Sequence, residues 1–492
     1  MKQDHSEENQ SKGIKVPTFI LSIIIVALLS VGATLFVTNG QGDQEGTTED
    51  TSTSQPVSGE KTGELASVNE VYQLLQQRYF EEIEPEVLIQ GAISGMADAV
   101  GDPYTEFLDE VESSSLNEDI SGSFEGIGAE VMKEGEGVRI VSPIADSPAE
   151  KAGLMPNDII LSVDGESVAE LSLTEAVEKI RGPKGTEVVL SVARGDNIFE
   201  VKVTRDSIPL ETVRYQLDEE DPTIGYVQIT NFSMPTYDEL VEAVEELKGN
   251  GAESFIFDVR GNPGGLLSSA IQLSNVFVDE GDVLLRVEQR GEEPFIYTAD
   301  NEMYGEYKVT DPSVLLIDGG SASASEILAG AMNQSAGIPL YGMPTFGKGT
   351  IQNIQLLQSA GELKLTIGKW LTPEGTWVHE DGLQPTEKVE LPEYVNLLII
   401  DATKTYKEND VSAEVENLEE ILDALDYSPG KVDGLYDQET VAAVKAFQQA
   451  NDIEADGQVT GRTATSLVDA LRALIEENDT QYKAAKKHLQ NK

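Results

Sequence analysis

Three hydroxyls and one amine stand out among the residues able to do chemistry. Ser321, Ser323 and Ser325 alternate with alanine in DGGSASASEI, directly after the apolar run VLLI. Lys348 lies 25 residues beyond the middle serine, in the glycine-bracketed segment TFGKGTIQ. A serine attacks a carbonyl only when a base within hydrogen-bond reach accepts its proton. The usual base is scarce here: His5 precedes an apolar N-terminal segment, His488 sits in a charged C-terminal stretch, and His379 belongs to the turn-like TWVHEDGLQP. Lys348 is therefore the best candidate base, and the expected chemistry is hydrolysis by an amine-activated serine. Such a lysine must be partly neutral, which demands a desolvated setting. Phe346, Gly347 and Gly349 allow close packing around it. The absence of cysteine excludes disulfides and thiol catalysis. There is no H-E-x-x-H motif or C-x-x-C pair, and His379-Glu380-Asp381 is too little for the common catalytic metal sites, so no metal and no cofactor are expected. Composition alone leaves open which of the three serines attacks.

The elements that must position these groups are spread over several domains, because 492 residues exceed one compact core. Val16 to Val37 is 22 residues without a charge, follows Lys12 and Lys15, and precedes an acidic run. It reads as a single membrane span over residues 16–38, with 1–15 cytoplasmic and the rest outside. Residues 39–64 read as a flexible acidic linker. Apolar residues at helical spacing between Val68 and Asp98 suggest two short helices before the loop GDPYTEFL, within a helical segment 65–121. Short alternating strands with one helix occupy 122–205. Strands TIGYVQI, ESFIFDVR and VLLID alternate with helical patterns over 206–395, which predicts a sheet with helices packed on it. Beyond a linker at 396–414, residues 415–472 contain an internal repeat: Asp433-Gly434 precedes Thr440 as Asp456-Gly457 precedes Thr463. Residues 473–492 read as a charged tail. Formal charge is -54, which argues against a nucleic-acid partner, since such binding needs a basic footprint.

Several of these stretches resemble known families. The segment 122–205 resembles a PDZ domain, with Gly126, Ile127, Gly128 and Ala129 in the place of the carboxylate-binding loop and Ser147-Pro148-Ala149, Gly153 and Asp158-Ile159-Ile160 at internal landmarks. A loop of that kind holds a peptide's terminal carboxylate while the peptide adds a strand to the sheet edge. The segment 415–472 resembles the peptidoglycan-binding module of cell-wall hydrolases, with Asp437 where the first half usually has glycine. The apolar anchor, the PDZ-like module, SASASEI and TFGKGTIQ together resemble the carboxyl-terminal processing peptidases, or tail-specific proteases, over residues 65–395. The resemblance implies that Ser323 is the nucleophile and Lys348 the general base. Gln352, four residues on, shares a face with Lys348 if the segment is extended, so its amide could hold the amine as a third member. Ser321 and Ser325 are then expected to cap the following helix. The oxyanion donors are expected to be the N–H of Ala324, at a helix start, and one from DVRGNPGG, where Gly264 and Gly265 allow close approach. The match also suggests that Arg181, after the helix bordering the peptide groove, senses a bound tail.

The expected fold class is multidomain α+β: an N-terminal transmembrane helix, a PDZ-like domain before an α/β serine peptidase core, and a small all-α C-terminal module. The expected function is a membrane-anchored serine endopeptidase acting outside the cytoplasm on protein substrates with free apolar C-termini. Cell-wall peptidoglycan and the membrane are further expected partners, and related enzymes suggest a homodimer. The rival reading is a catalytically idle scaffold that binds peptide tails and wall; Ser323, Lys348 and Gln352 occurring together count against it.

Overall fold

The computed structural model describes residues 65–357 and 361–491. The expected span at 16–38, with the cytoplasmic stretch 1–15 and the linker 39–64, lies outside the described residues. Among those described, no helix is long and apolar enough to cross a membrane.

At the centre is a six-stranded sheet in the order Val213–Leu217, Ile224–Ile229, Ser254–Asp258, Ser313–Ile317, Leu340–Gly342, Glu387–Lys388. The first pair is antiparallel and every later pair parallel. Buried parallel strands read as continuous apolar runs because both faces are covered, and all five residues of Ser313–Ile317 are buried. Odd-numbered Leu315 and Ile317 face the main core, with Phe255, Phe257 and the helices Thr236–Gly249, Leu267–Phe277 and Ala324–Gln334. Even-numbered Val314 and Leu316, with Ile224 and Ile256, face the opposite side. The two-residue alternation of a strand dictates that split.

The opposite face is covered by the chain's own end, which corrects the expected charged tail. Residues Thr480–Gln490 form a helix whose Tyr482, Ala485 and Leu489 pack on Ile224, Ile256, Val314 and Leu316. Its polar side chains are equally committed. Lys486 Nζ and Tyr482 Oη both reach Asp218, each at 2.6 Å, and Tyr341 Oη meets His488 Nδ1 at 3.0 Å.

A second, antiparallel sheet stands beside the first. In it the hairpin Thr350–Leu357/Gly361–Leu371 joins Val283–Gln289, Phe295–Thr298 and the short strand Glu106–Leu108. The last three residues of the expected loop GDPYTEFL are thus a strand, with Glu106 opposite Lys364. The helices expected before it run Ala66–Arg78 and Pro85–Asp98, and a third, Glu110–Ser121, follows with a reciprocal Asp109–Glu112 cap.

The PDZ-like module has its own core, around Val138, Ile140, Ile160, Leu190 and Val192, and a six-stranded sheet from Ala129 to Thr204. It hangs from a two-stranded ribbon, Ser123–Gly126 against Asp206–Pro209. The C-terminal module packs Ala413–Ala424, Gln438–Ala450 and Gly461–Glu477 around Leu418, Tyr436, Phe447 and Leu467. Its sequence repeat has a structural counterpart. Buried Glu419 accepts from the N–H groups of Asp433 and Gly434 and from Thr440 Oγ1. Buried Gln448 does the same work in the second half, accepting from the Gly457 N–H and donating to Asp456 and Thr463.

Candidate active site

Neighbouring parallel strands deliver the site from their C-terminal ends, where ligands bind in sheets of this kind. Strand Ser254–Asp258 leads into the glycine-rich loop 259–266, and Ser313–Ile317 leads into the turn that carries the three serines. Ser323 stands immediately before helix Ala324–Gln334 with φ +53° and ψ -106°. A non-glycine residue held there costs about 1–3 kcal/mol and persists only where the surroundings over-determine it. They do so here.

Ser321 and Ser325 are fully buried, and they do not cap the helix as expected. Ser321 Oγ donates to the Val259 carbonyl at 2.8 Å and Ser325 Oγ to the Asn262 carbonyl at 2.9 Å. The flanking serines instead stitch the Ser323 turn to the glycine-rich loop. The Ala322 N–H adds a third tie, to the Asn262 carbonyl at 3.0 Å.

Within the glycine-rich loop, the two candidate donors separate. The Gly264 N–H is occupied by Asn262 Oδ1 at 2.8 Å. The N–H groups of Gly265 and Ala324 carry no hydrogen bond among the described residues, and both residues line one cavity with Ser323 and Gln352. Gly265 has φ +146°, and a Cβ on it would run into the Phe232 carbonyl. Glycine is required there because the backbones meet.

Glu326 joins the two halves of the site, a role the sequence reading missed. This wholly buried carboxylate accepts from the Ser323 N–H at 2.7 Å and the Lys348 N–H at 2.8 Å on one oxygen. On the other it accepts from the Gly347 N–H at 2.8 Å and Thr345 Oγ1 at 2.6 Å. Burial pushes its pKa up, and the four donors oppose that by favouring the charged form. The signal was present: Ser323-x-x-Glu326 before an apolar run is a capping-box pattern.

Lys348 is only 4% exposed. Both tryptophans of the chain clamp its backbone, Trp370 Nε1 on the Lys348 carbonyl at 2.9 Å and Trp377 Nε1 on the Gly349 carbonyl at 2.8 Å. Its amine stands 4.2 Å from the centre of the Tyr104 ring. Burial, and after it the neighbouring Lys364, hold that amine well below the usual lysine range. Among the described residues, Lys348 Nζ makes no hydrogen bond to Ser323. Gln352, 1% exposed, turns its Nε2 to Thr350 Oγ1 at 2.9 Å and Thr366 Oγ1 at 3.2 Å. Ser323 and Gln352 thus line one cavity, and the Lys348 backbone is tied to that of Ser323 through the shared Glu326 oxygen.

At the PDZ-like module, Ile127 and Gly128 give their carbonyls to the N–H groups of Ala149 and Ile144. Gly126 ends the supporting ribbon, and Ala129 opens the module's first strand. Arg181, just after helix Leu173–Ile180, lies over the Phe124 ring at 4.6 Å. One guanidinium nitrogen meets both carboxylate oxygens of Glu118 at 2.9 Å, outside the module. His379 stacks on Trp377 and borders Tyr104, in the turn that closes over the lysine segment.

A family model described as Peptidase family S41 matches residues 223–389, one for the PDZ domain 139–194, and one for a putative peptidoglycan binding domain 411–467. A fourth, for the activating protease CtpB N-terminal domain, matches 27–112. Carboxy-terminal processing protease CtpA of Bacillus subtilis is 40% identical over 467 residues, 94% of this chain and 96% of its own. A probable CtpA-like serine protease of Staphylococcus aureus is 34% identical over 96% of this chain and 93% of its own. Among solved structures, the photosystem II D1 C-terminal processing protease covers 66% of this chain and 88% of its own at 27% identity, with a TM-score of 0.39.

Proposed function

The chain belongs to the carboxy-terminal processing serine proteases of peptidase family S41, and we propose that within it Ser323, Lys348 and Gln352 form the catalytic set. Ser323 attacks the scissile carbonyl, the neutral amine of Lys348 takes its proton, and Gln352 orients the amine. The N–H groups of Ala324 and Gly265 receive the oxyanion, with the dipole of helix Ala324–Gln334 behind the first. The observation that carries this reading is the shared Glu326 oxygen, which fixes the serine and lysine backbones side by side in a desolvated place.

The arrangement supports a resting state in which Tyr104 holds the amine off the serine. A route for closing it runs from the PDZ-like module. Arg181 pairs with Glu118 on helix Glu110–Ser121, whose Leu116 packs on Leu266 of the glycine-rich loop. The same helix end bonds the backbone of Met234, and neighbouring Phe232 ladders with Gly264 and Leu266. Both side chains of the Arg181–Glu118 pair are partly exposed, so it is worth little and exchanges readily. A substrate's terminal carboxylate in the groove beside Gly126–Ala129 competes with Glu118 for Arg181 and frees the helix. Substrates are thus extracytoplasmic proteins with free apolar tails, the enzyme being held at the membrane by residues 16–38 and at the wall by the C-terminal module.

The test is cleavage of one unstructured substrate with its C-terminus free or amidated. Wild-type chain should prefer the free tail, Arg181→Ala should lose that preference while melting at the same temperature, and Ser323→Ala should cleave neither. Equal cleavage of both tails by wild type and Arg181→Ala would remove the gate and leave the catalytic set standing.

A further inference from the structure

Lysine at position 364 is an unexplained cost. It is 5% exposed, lies on strand Gly361–Leu371, and pairs with Glu106 at 2.6 Å across the register Glu106↔Lys364. Holding an ammonium out of water beside a carboxylate that is itself partly exposed is costly, so its presence calls for a use. Its surroundings indicate one. Two residues along the same strand, hence on the same face, Thr366 receives Gln352 Nε2 and bonds its own N–H to Thr105 Oγ1. Tyr104, next to Thr105, lies beneath the Lys348 amine. Residues 104–106 therefore carry both the ring on which the Lys348 amine rests and the carboxylate that holds Lys364.

We propose that Lys364 is a positioning residue for hydrolysis, a fixed cation anchored by Glu106 that acts on the Lys348 amine through charge and never touches substrate. The inference rests on the amine-base reading above. Two neighbouring ammonium groups that are both buried disfavour each other, and the one with a carboxylate partner keeps its proton. Lys364 has Glu106 at 2.6 Å; Lys348 has an aromatic face. Lys348 is thereby the member left neutral, the form a general base needs. Of its causes, burial is the largest contribution to the lowered pKa of Lys348 and Lys364 the next, with Glu106, Asp102 and Glu326 opposing. The His379 ring meets the Tyr104 ring edge-on at 6.5 Å, and Glu380 follows it in the chain. The sign follows: removing the charge at 364 makes the Lys348 ammonium easier to keep, so activity appears only at higher pH.

The experiment is the pH dependence of kcat/KM for the full chain on an unstructured substrate, with melting temperature as control. Lys364→Gln, which can still donate to Glu106, should displace the acid limb upward by about one pH unit or more, a roughly tenfold loss at a fixed pH on that limb. Lys364→Met serves as a second neutral variant if the first melts early. Lys364→Arg should bring the limb back toward the wild-type position. Neutral variants that lose activity equally at every pH, with the limb unmoved, would overturn the proposal. So would an arginine variant displaced as far as the glutamine one, since shape rather than charge would then matter. Hydrolysis surviving in Lys348→Ala would instead sink the amine-base reading itself, a different failure.

Discussion

Glu326 receives four donors from the nucleophile turn and the lysine segment, and a carboxamide can serve only half of that demand. Glu326→Gln should therefore lose cleavage and about 3–5 kcal/mol of stability, the range for breaking a buried charged network. Thermal melts and rates on one substrate check both, and a stable, active variant would show that the carboxylate is dispensable. Ser321 and Ser325 belong to the same scale. As buried ties between two loops, each should cost about 0.5–1.5 kcal/mol on mutation to alanine, one net hydrogen bond, because the Val259 and Asn262 carbonyls keep the N–H groups of Asn262 and Ala322. What the sequence made legible here was local or carried by motif: Ser323, Lys348 and Gln352. Glu326 was readable as a capping box, Ser323-x-x-Glu326 before an apolar run. Lys364 was not readable, since its meaning depends on Glu106, 258 residues earlier, and on strand pairing that no spacing announces.

Strand and helix periodicity announced most of the core, and the exceptions are elements that borrow their stability from afar. Glu106–Leu108 is three residues long and exists because Gly361–Leu371 offers it a ladder. The terminal helix looked like a charged tail because Lys and Gln dominate it, although Tyr482, Ala485 and Leu489 recur at helical spacing. Asp479 and Gln481 at its start hold Arg260, whose other contacts go to Asp258 at the mouth of the glycine-rich loop. Ending the chain after Asn478 should therefore uncover the Ile256–Leu316 face, lower the melting temperature and slow cleavage. Full activity and stability of that truncation would mean the helix is ornament. The pair Lys486–Asp218 gives a pH signature. Burial raises the Asp218 pKa, but Lys486, Tyr482 and the Asp221 N–H outweigh it and hold the carboxyl below its usual range. Its stabilisation is thus complete above the unfolded carboxylate pKa of about 4 and fades as pH falls through the lower folded value. Lys486→Ala should flatten that acid limb of the stability curve.

At the scale of the molecule, two modules hang on one core in different ways. The PDZ-like module leaves and rejoins the core through one two-stranded ribbon, beside the pair Arg181–Glu118. The C-terminal module lies between the last core strand and the terminal helix, so it is an insertion rather than an appendage. The sequence reading placed its boundaries by the Asp-Gly repeat but missed that the chain returns to the core afterwards, because that return rests on contacts with Asp218 and Arg260, over 200 residues away. Excising 411–467 while keeping the terminal helix should spare peptide hydrolysis and abolish sedimentation with purified cell walls; unchanged sedimentation would make the module a spacer. All of these roles depend on an amine doing the work of an imidazole, which one substitution isolates. Cleavage of a free-tailed unstructured substrate should be compared between wild type and Lys348→Arg under single-turnover conditions. A guanidinium keeps its proton, so the variant should be folded and slower by about a hundredfold or more, whereas cleavage at a rate comparable with wild type would contradict the amine base and everything built on it.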